Sequence, residues 1–194
     1  MTRRLGSVAL AALTAAALLS CKESNRQNSP VTLIVTTTQT LQRIDIRPNA
    51  QNCDQSVGTV NIKNMLVQGT NPSENLPTNS TLDDVRITGY RISYRRTDGG
   101  TSVPASFTRS ISLLVPINGI GDLGTFLILQ TDALTQAPFA ALLPQNGGRD
   151  PQTGRTVVQM NVILEVFGET LAGERVSGST TIPLDFCYDC LGCA

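Results

Sequence analysis

Apolar and polar positions alternate most clearly near the end of the chain. In residues 155–167, Val158, Met160, Val162, Leu164 and Val166 alternate with Gln159, Asn161 and Glu165. After a GETLAG turn, Val176, Thr180, Ile182, Leu184 and Phe186 continue at period two. Successive side chains of a strand point to opposite faces, so this pattern predicts a long hairpin with one buried face. Shorter runs behave alike. Residues 31–37 (VTLIVTT) are β-branched and apolar, Ile44 and Ile46 share a face within 43–47, and 59–68 (TVNIKNMLVQ) reads as a strand with an irregularity near Asn64.

The stretch VRITGYRISYRRTDGG changes parity part-way. Val85 and Ile87 share one face; Tyr90, Ile92 and Tyr94 share the other. The switch falls at Gly89, where a β-bulge is expected, and Asp98-Gly99-Gly100 closes the strand in a tight turn. Residues 107–117 and 125–129 are further strand candidates, and 138–143 (PFAALL) predicts a short helical turn opened by Pro138. Segments 48–58, 69–84 and 145–154 are rich in Gly, Pro, Asn and Asp and read as loops.

ITGYRISYR resembles the third strand of fibronectin type III domains, with its recurring I-x-G-Y-x-I-x-Y pattern. The G-x-T-x-x-G turn between two apolar strands is similar to the endings of bacterial envelope lipoproteins with immunoglobulin-like folds. Strand number, turn chemistry and these resemblances imply an all-β domain over 31–194, an antiparallel immunoglobulin-like β-sandwich of about 7–8 strands. In such a sandwich part of the first strand commonly runs parallel to the last.

The N-terminus carries a different signal. Arg3 and Arg4 precede an uncharged Ala/Leu-rich run over 5–19, which as a helix would reach roughly 22 Å, short of a bilayer core. That is the pattern of a secretory signal. Its end, Leu18-Leu19-Ser20-Cys21, resembles the lipobox of bacterial lipoproteins. The resemblance implies residues 1–20 as a cleaved signal peptide and Cys21 as the lipidated N-terminus. Residues 21–30 then form a polar tether, its KESNRQNSP portion reaching at most roughly 30 Å. Two or three acyl chains suffice for stable anchoring. Lys22 stands where the family places Asp for inner-membrane retention, so the resemblance favours the outer membrane over the inner.

Composition narrows the chemistry. The chain has no His, which excludes Ser-His-Asp and Cys-His sites, His-ligated zinc and c-type haem. Lys occurs only at Lys22 and Lys63. Fifteen basic residues balance fifteen acidic ones, and no basic face interleaved with aromatics suggests nucleic acid. No Gly-rich phosphate loop follows a strand and opens a helix, so nucleotide binding is not expected.

With Cys21 committed to lipid, Cys53, Cys187, Cys190 and Cys193 remain. Four cysteines in an oxidising compartment suggest two disulfides. The preferred pairing is Cys53–Cys187, joining the loop after the first strands to the end of the last, with Cys190–Cys193 closing locally. This clasp would lie at the end of the domain away from the lipid. A metal site on C-x2-C-x2-C and a redox pair in CYDC or CLGC are the alternatives. Against the redox pair, no helix follows to lower a thiol pKa. Asp83-Asp84 offers carboxylates for a cation or an enzyme, although such pairs more commonly solvate loops. Arg86, Arg91, Arg95 and Arg96 are expected to face solvent along an edge strand.

These observations point to a membrane-anchored lipoprotein of the bacterial envelope, non-enzymatic, with no cofactor beyond the covalent lipid and no metal. It would act as a structural or interaction module toward another envelope protein or a glycan. The alternatives are a carboxylate-based enzyme or accessory domain of envelope metabolism and, more weakly, a thiol or metal protein built on the terminal cysteines.

Overall fold

The computed structural model describes residues 29, 31–37, 42–47, 60–66 and 80–190. Cys21, Cys53 and Cys193, with the segments assigned to signal peptide and tether up to residue 28, lie outside the described residues. Those described form an all-β structure of eight strands, with short 3-10 turns and no α-helix. The strands are β1 Val31–Thr37, β2 Gln42–Asp45, β3 Val60–Leu66, β4 Val85–Arg96, β5 Phe107–Val115, β6 Ile120–Asp122, β7 Val157–Thr170 and β8 Arg175–Cys187.

One sheet has the order β1-β3-β6, the other β2-β8-β7-β4-β5. All pairs are antiparallel except β2–β8, which is parallel with Ile44 opposite Phe186. The second sheet is therefore mixed. The predicted hairpin is present as β7–β8, and its alternation is the reason it forms. Val158, Met160, Val162, Leu164 and Val166 are all at most 1% exposed, while the intervening residues are only partly covered. Facing them, Val31, Leu33 and Val35 of β1 are buried in the same apolar cluster. Gly178 on the inner side of β8 lets the sheets meet: a Cβ there would lie 2.5 Å from the Leu33 carbonyl oxygen.

The expected bulge sits in β4, where the register to both β5 and β7 slips between Ile87 and Gly89. A Cβ on Gly89 would come within 2.8 Å of the Arg109 carbonyl oxygen and of the Phe167 ring, so the bulge requires glycine. The slip explains why Val85 and Ile87 share the buried face with Tyr90, Ile92 and Tyr94 despite opposite parity.

Two sequence expectations need correction. β5 ends at Val115, because Pro116 has no N–H for the ladder and a turn closes with Gly119 donating to the Pro116 carbonyl at 2.8 Å. Residues 125–129 do not form a strand. Phe126, Ile128 and Leu129 are all buried, which alternation on one strand face would forbid. The segment instead crosses the core and is pinned from β4: Tyr90 Oη donates to the Leu127 carbonyl at 3.4 Å, and Tyr94 Oη to that of Ile128 at 2.7 Å. Burial raises the pKa of both phenols, so each stays a donor. Further on, 3-10 turns over Thr131–Thr135 and Phe139–Leu142 continue this crossing, and the Phe139 ring packs 4.9 Å from that of Phe186. The helical turn expected after Pro138 is the second of these.

Candidate functional site

The terminal cysteines are the first candidate. Cys187 ends β8 and is disulfide-bonded to Cys190, with Cα atoms 5.9 Å apart. This overturns the preferred pairing of Cys187 with Cys53 and of Cys190 with Cys193. The physical reason is local: the chain reverses just after β8 through Asp189, at φ 51°, which brings Cys190 back within bridging distance. The loop is nonetheless tied to the first strands, by a carboxylate. Asp45 of β2, only 1% exposed, accepts from the backbone N–H of Asp189 and of Cys190, each at 3.1 Å. Arg47 completes the arrangement, its Nε 3.3 Å from Asp45 Oδ2 and its Nη1 2.9 Å from Asp189 Oδ1. Parallel pairing puts Asp45 level with Cys187, which is what allows this reach.

A second constellation lies where β4 runs into β5. Arg96 continues the buried face of Tyr90, Ile92 and Tyr94, so its guanidinium is turned inward and its side chain is 1% exposed. It forks onto Asp98, Nε to Oδ1 at 2.7 Å and Nη2 to Oδ2 at 2.8 Å, and Nη2 also reaches Asp150 Oδ2 at 2.7 Å. Both carboxylates have other donors. Asp98 accepts from the N–H of Gln159 and Gly100; Asp150 accepts from the N–H and hydroxyl of Thr153. Burial by itself would raise the Asp98 carboxyl, but the Arg96 fork and the two N–H groups outweigh it and hold it at about 2. Asp150 is lowered for the same reason, against the same burial. Arg96 was expected to face solvent on an edge strand; β4 lies between β7 and β5, and only Arg86, Arg91 and Arg95 of the four are exposed.

This network fixes a loop that carries two more arginines. Asp150 N donates to the Arg155 carbonyl and Gly154 N to the Asp150 carbonyl, both at 2.8 Å, so Arg149 and Arg155 emerge side by side from a closed turn. Gln152 Oε1 binds the loop to its neighbour, accepting from Thr101 N at 2.7 Å and Ser102 N at 3.0 Å. With Arg43 of β2 and Asp185 of β8, Arg149 and Arg155 line an open groove of about 570 Å³. Asp185 accepts from Gln159 Nε2 at 3.1 Å. Three arginines against one carboxylate make this groove cationic on a chain whose fifteen basic and fifteen acidic residues balance as a whole.

Asp83 and Asp84 lie in the turn before β4. Asp84 works as a tie: Oδ1 accepts from Ile117 N at 2.8 Å and its carbonyl from Leu171 N at 2.9 Å. Neither residue lines the cationic groove or a second one of about 450 Å³ between Thr88 and Ser177. Among the described residues no three His, Cys, Asp or Glu side chains are grouped to hold a metal ion.

Arg96, Asp98 and Asp150 were missed as a unit. One signal for them was present: extending the Tyr90–Ile92–Tyr94 parity by one step places a charge on the buried face, which demands a partner. Asp45 had no comparable signal, since alternation with Ile44 and Ile46 assigns it to solvent. No protein-family model matches the chain, and no curated protein sequence compared with it is significantly similar.

Proposed function

We propose that this chain is a lipid-anchored protein of the bacterial envelope, acting without catalysis as a structural or interaction module. The observation that carries the reading is Leu18-Leu19-Ser20-Cys21 at the end of an uncharged Ala/Leu run, with Cys21 as the lipidated residue. Lys22 favours the outer membrane. The Cys187–Cys190 disulfide suits an oxidising compartment. The immunoglobulin-like sandwich belongs to the same proposal; two sheets with a shared apolar core, and β2 running parallel to β8, support it.

The surface we assign to a partner is the groove of Arg43, Arg149 and Arg155. The loop that carries Arg149 and Arg155 is held by the buried Arg96 network, so its backbone needs little ordering on binding. An acidic segment of an envelope protein, or an acidic glycan, fits that charge; guanidinium groups bind carboxylate in bidentate fashion.

Two experiments test this. Cells expressing the full chain are labelled with radioactive palmitate and fractionated; label and membrane recovery should both be lost in Cys21→Ala, and equal recovery of the variant would refute the anchor. Crosslinking in native envelopes should then capture a partner that is lost when Arg43, Arg149 and Arg155 are replaced by Ala.

A further inference from the structure

Three turns meet at one end of the domain: Thr81–Asp83 before β4, the β5–β6 turn at 116–119, and the β7–β8 turn at 171–174. They are fastened together through Asp84, as described above, and through Ala172 N, which donates to the Leu82 carbonyl at 3.0 Å. On this fastened end Leu82, at 57% exposure, and Leu171, at 41%, stand in solvent. Two backbone bonds hold them near each other, Leu171 N to the Asp84 carbonyl and Ala172 N to the Leu82 carbonyl, and Ala172 is exposed as well. Neither leucine contributes to the buried cluster.

The chain enters the domain at this same end. Leu33 lies against Gly178, and farther on Gln42 is level with Leu184. Moving from β1 to β2 therefore follows β8 away from the β7–β8 turn, and Val31 starts beside that turn. Ser29 is folded onto this start, its Oγ accepting from Val31 N at 3.3 Å. Between Cys21 and Ser29 the chain can span at most roughly 30 Å. The thirteen residues of β8 extend over roughly 40 Å, so the tether is shorter than the domain is long.

Resting on the lipoprotein reading, we infer that the end bearing Leu82 and Leu171 sits against the lipid surface, with both leucines inserted in its interfacial layer. The short tether keeps this end at the membrane, and apolar side chains at a water–lipid boundary gain by leaving water. The cationic groove, flanking the far end of β8 at Asp185, is then held outward toward a partner.

The chain has no Trp, so one introduced at a time reports its own surroundings. Leu82→Trp and Leu171→Trp are compared with Val103→Trp, an exposed position in the β4–β5 loop at the opposite end. Asp83, Glu169 and Glu174 stand near the leucines against Arg86 and Arg175, so zwitterionic phosphatidylcholine vesicles are used to read apolar insertion alone. The lipidated full-length variants are reconstituted, floated, and examined with brominated acyl chains as quenchers. The expected result is a blue shift and quenching at positions 82 and 171, with neither at 103. Flotation with no quenching at 82 and 171, or with equal quenching at 103, overturns the orientation and leaves the anchor standing. Protein that carries no lipid and fails to float overturns the anchor and the orientation together.

Discussion

At the end where β4 runs into β5, Arg96, Asp98 and Asp150 are shut away from water in a charged fork. At the opposite end Asp84 ties three turns together at the surface, chiefly through backbone N–H groups. Both ends solve the same problem, closing loops over the open edges of two sheets. They differ in what failure costs. A surface tie that is cut can be replaced by water, whereas a buried carboxylate that loses its cation has no substitute. The fork also has a use that the tie lacks: it holds the loop from which Arg149 and Arg155 emerge.

The comparison breaks hardest at Arg96. Arg96→Met leaves two carboxylates buried without a counter-ion and should cost about 3–5 kcal/mol in urea unfolding. It should also loosen the 149–155 loop, read as lost amide protection at Asp150 and Gly154. A loss under 1 kcal/mol would mean that water reaches the fork.

Acid should act on the same network. Asp98 is held at about 2 in the folded state, below its ordinary 3.8, so its contribution is present above the unfolded value. That contribution disappears as pH falls through the folded value, and should amount to roughly 2 kcal/mol between about pH 4 and pH 2. The difference between wild type and Arg96→Met should therefore be largest near neutrality and shrink over that window. A constant difference would place the cause elsewhere.

At the other end, Asp84→Ala removes an acceptor for Ile117 N and should cost about 1–1.5 kcal/mol. If it costs as much as Arg96→Met, the contrast between the ends is mistaken. Smallest of all, Arg91→Ala breaks a pair with Glu165 at 3.4 Å on the exposed face of the sheet. It should change stability by less than about 0.5 kcal/mol, which sets the baseline for a charge that is not buried.

The terminal loop teaches a related lesson about what a sequence hides. Spacing in FCYDCLGCA allows several pairings, and the parallel run of first and last strands in a sandwich favours the long one to Cys53. The chain reversal at Asp189 favours the short one instead. The tie to the first strands is made by Asp45, a residue whose alternation with Ile44 and Ile46 marks it as solvent-facing. It is buried because the terminal loop folds over it, an event distant in sequence from β2.

What the amino-acid sequence determined by itself is what local physics can decide. Period-two alternation specified β4, β7 and β8 and their buried faces, because a strand has only two faces and water selects between them, and β-branched apolar composition marked β1. Gly89 marked the bulge, and Pro138 the helical turn, because backbone sterics act within a few residues. Tertiary structure alone decided which strands are neighbours beyond the β7–β8 hairpin, that 125–129 crosses the core, and that Arg96, Asp98 and Asp150 meet. It also decided that Leu82 and Leu171 share an exposed end with the entry of the chain. Those outcomes depend on packing between segments separated by tens of residues, where the energies of alternative partners are compared only once the whole chain has folded.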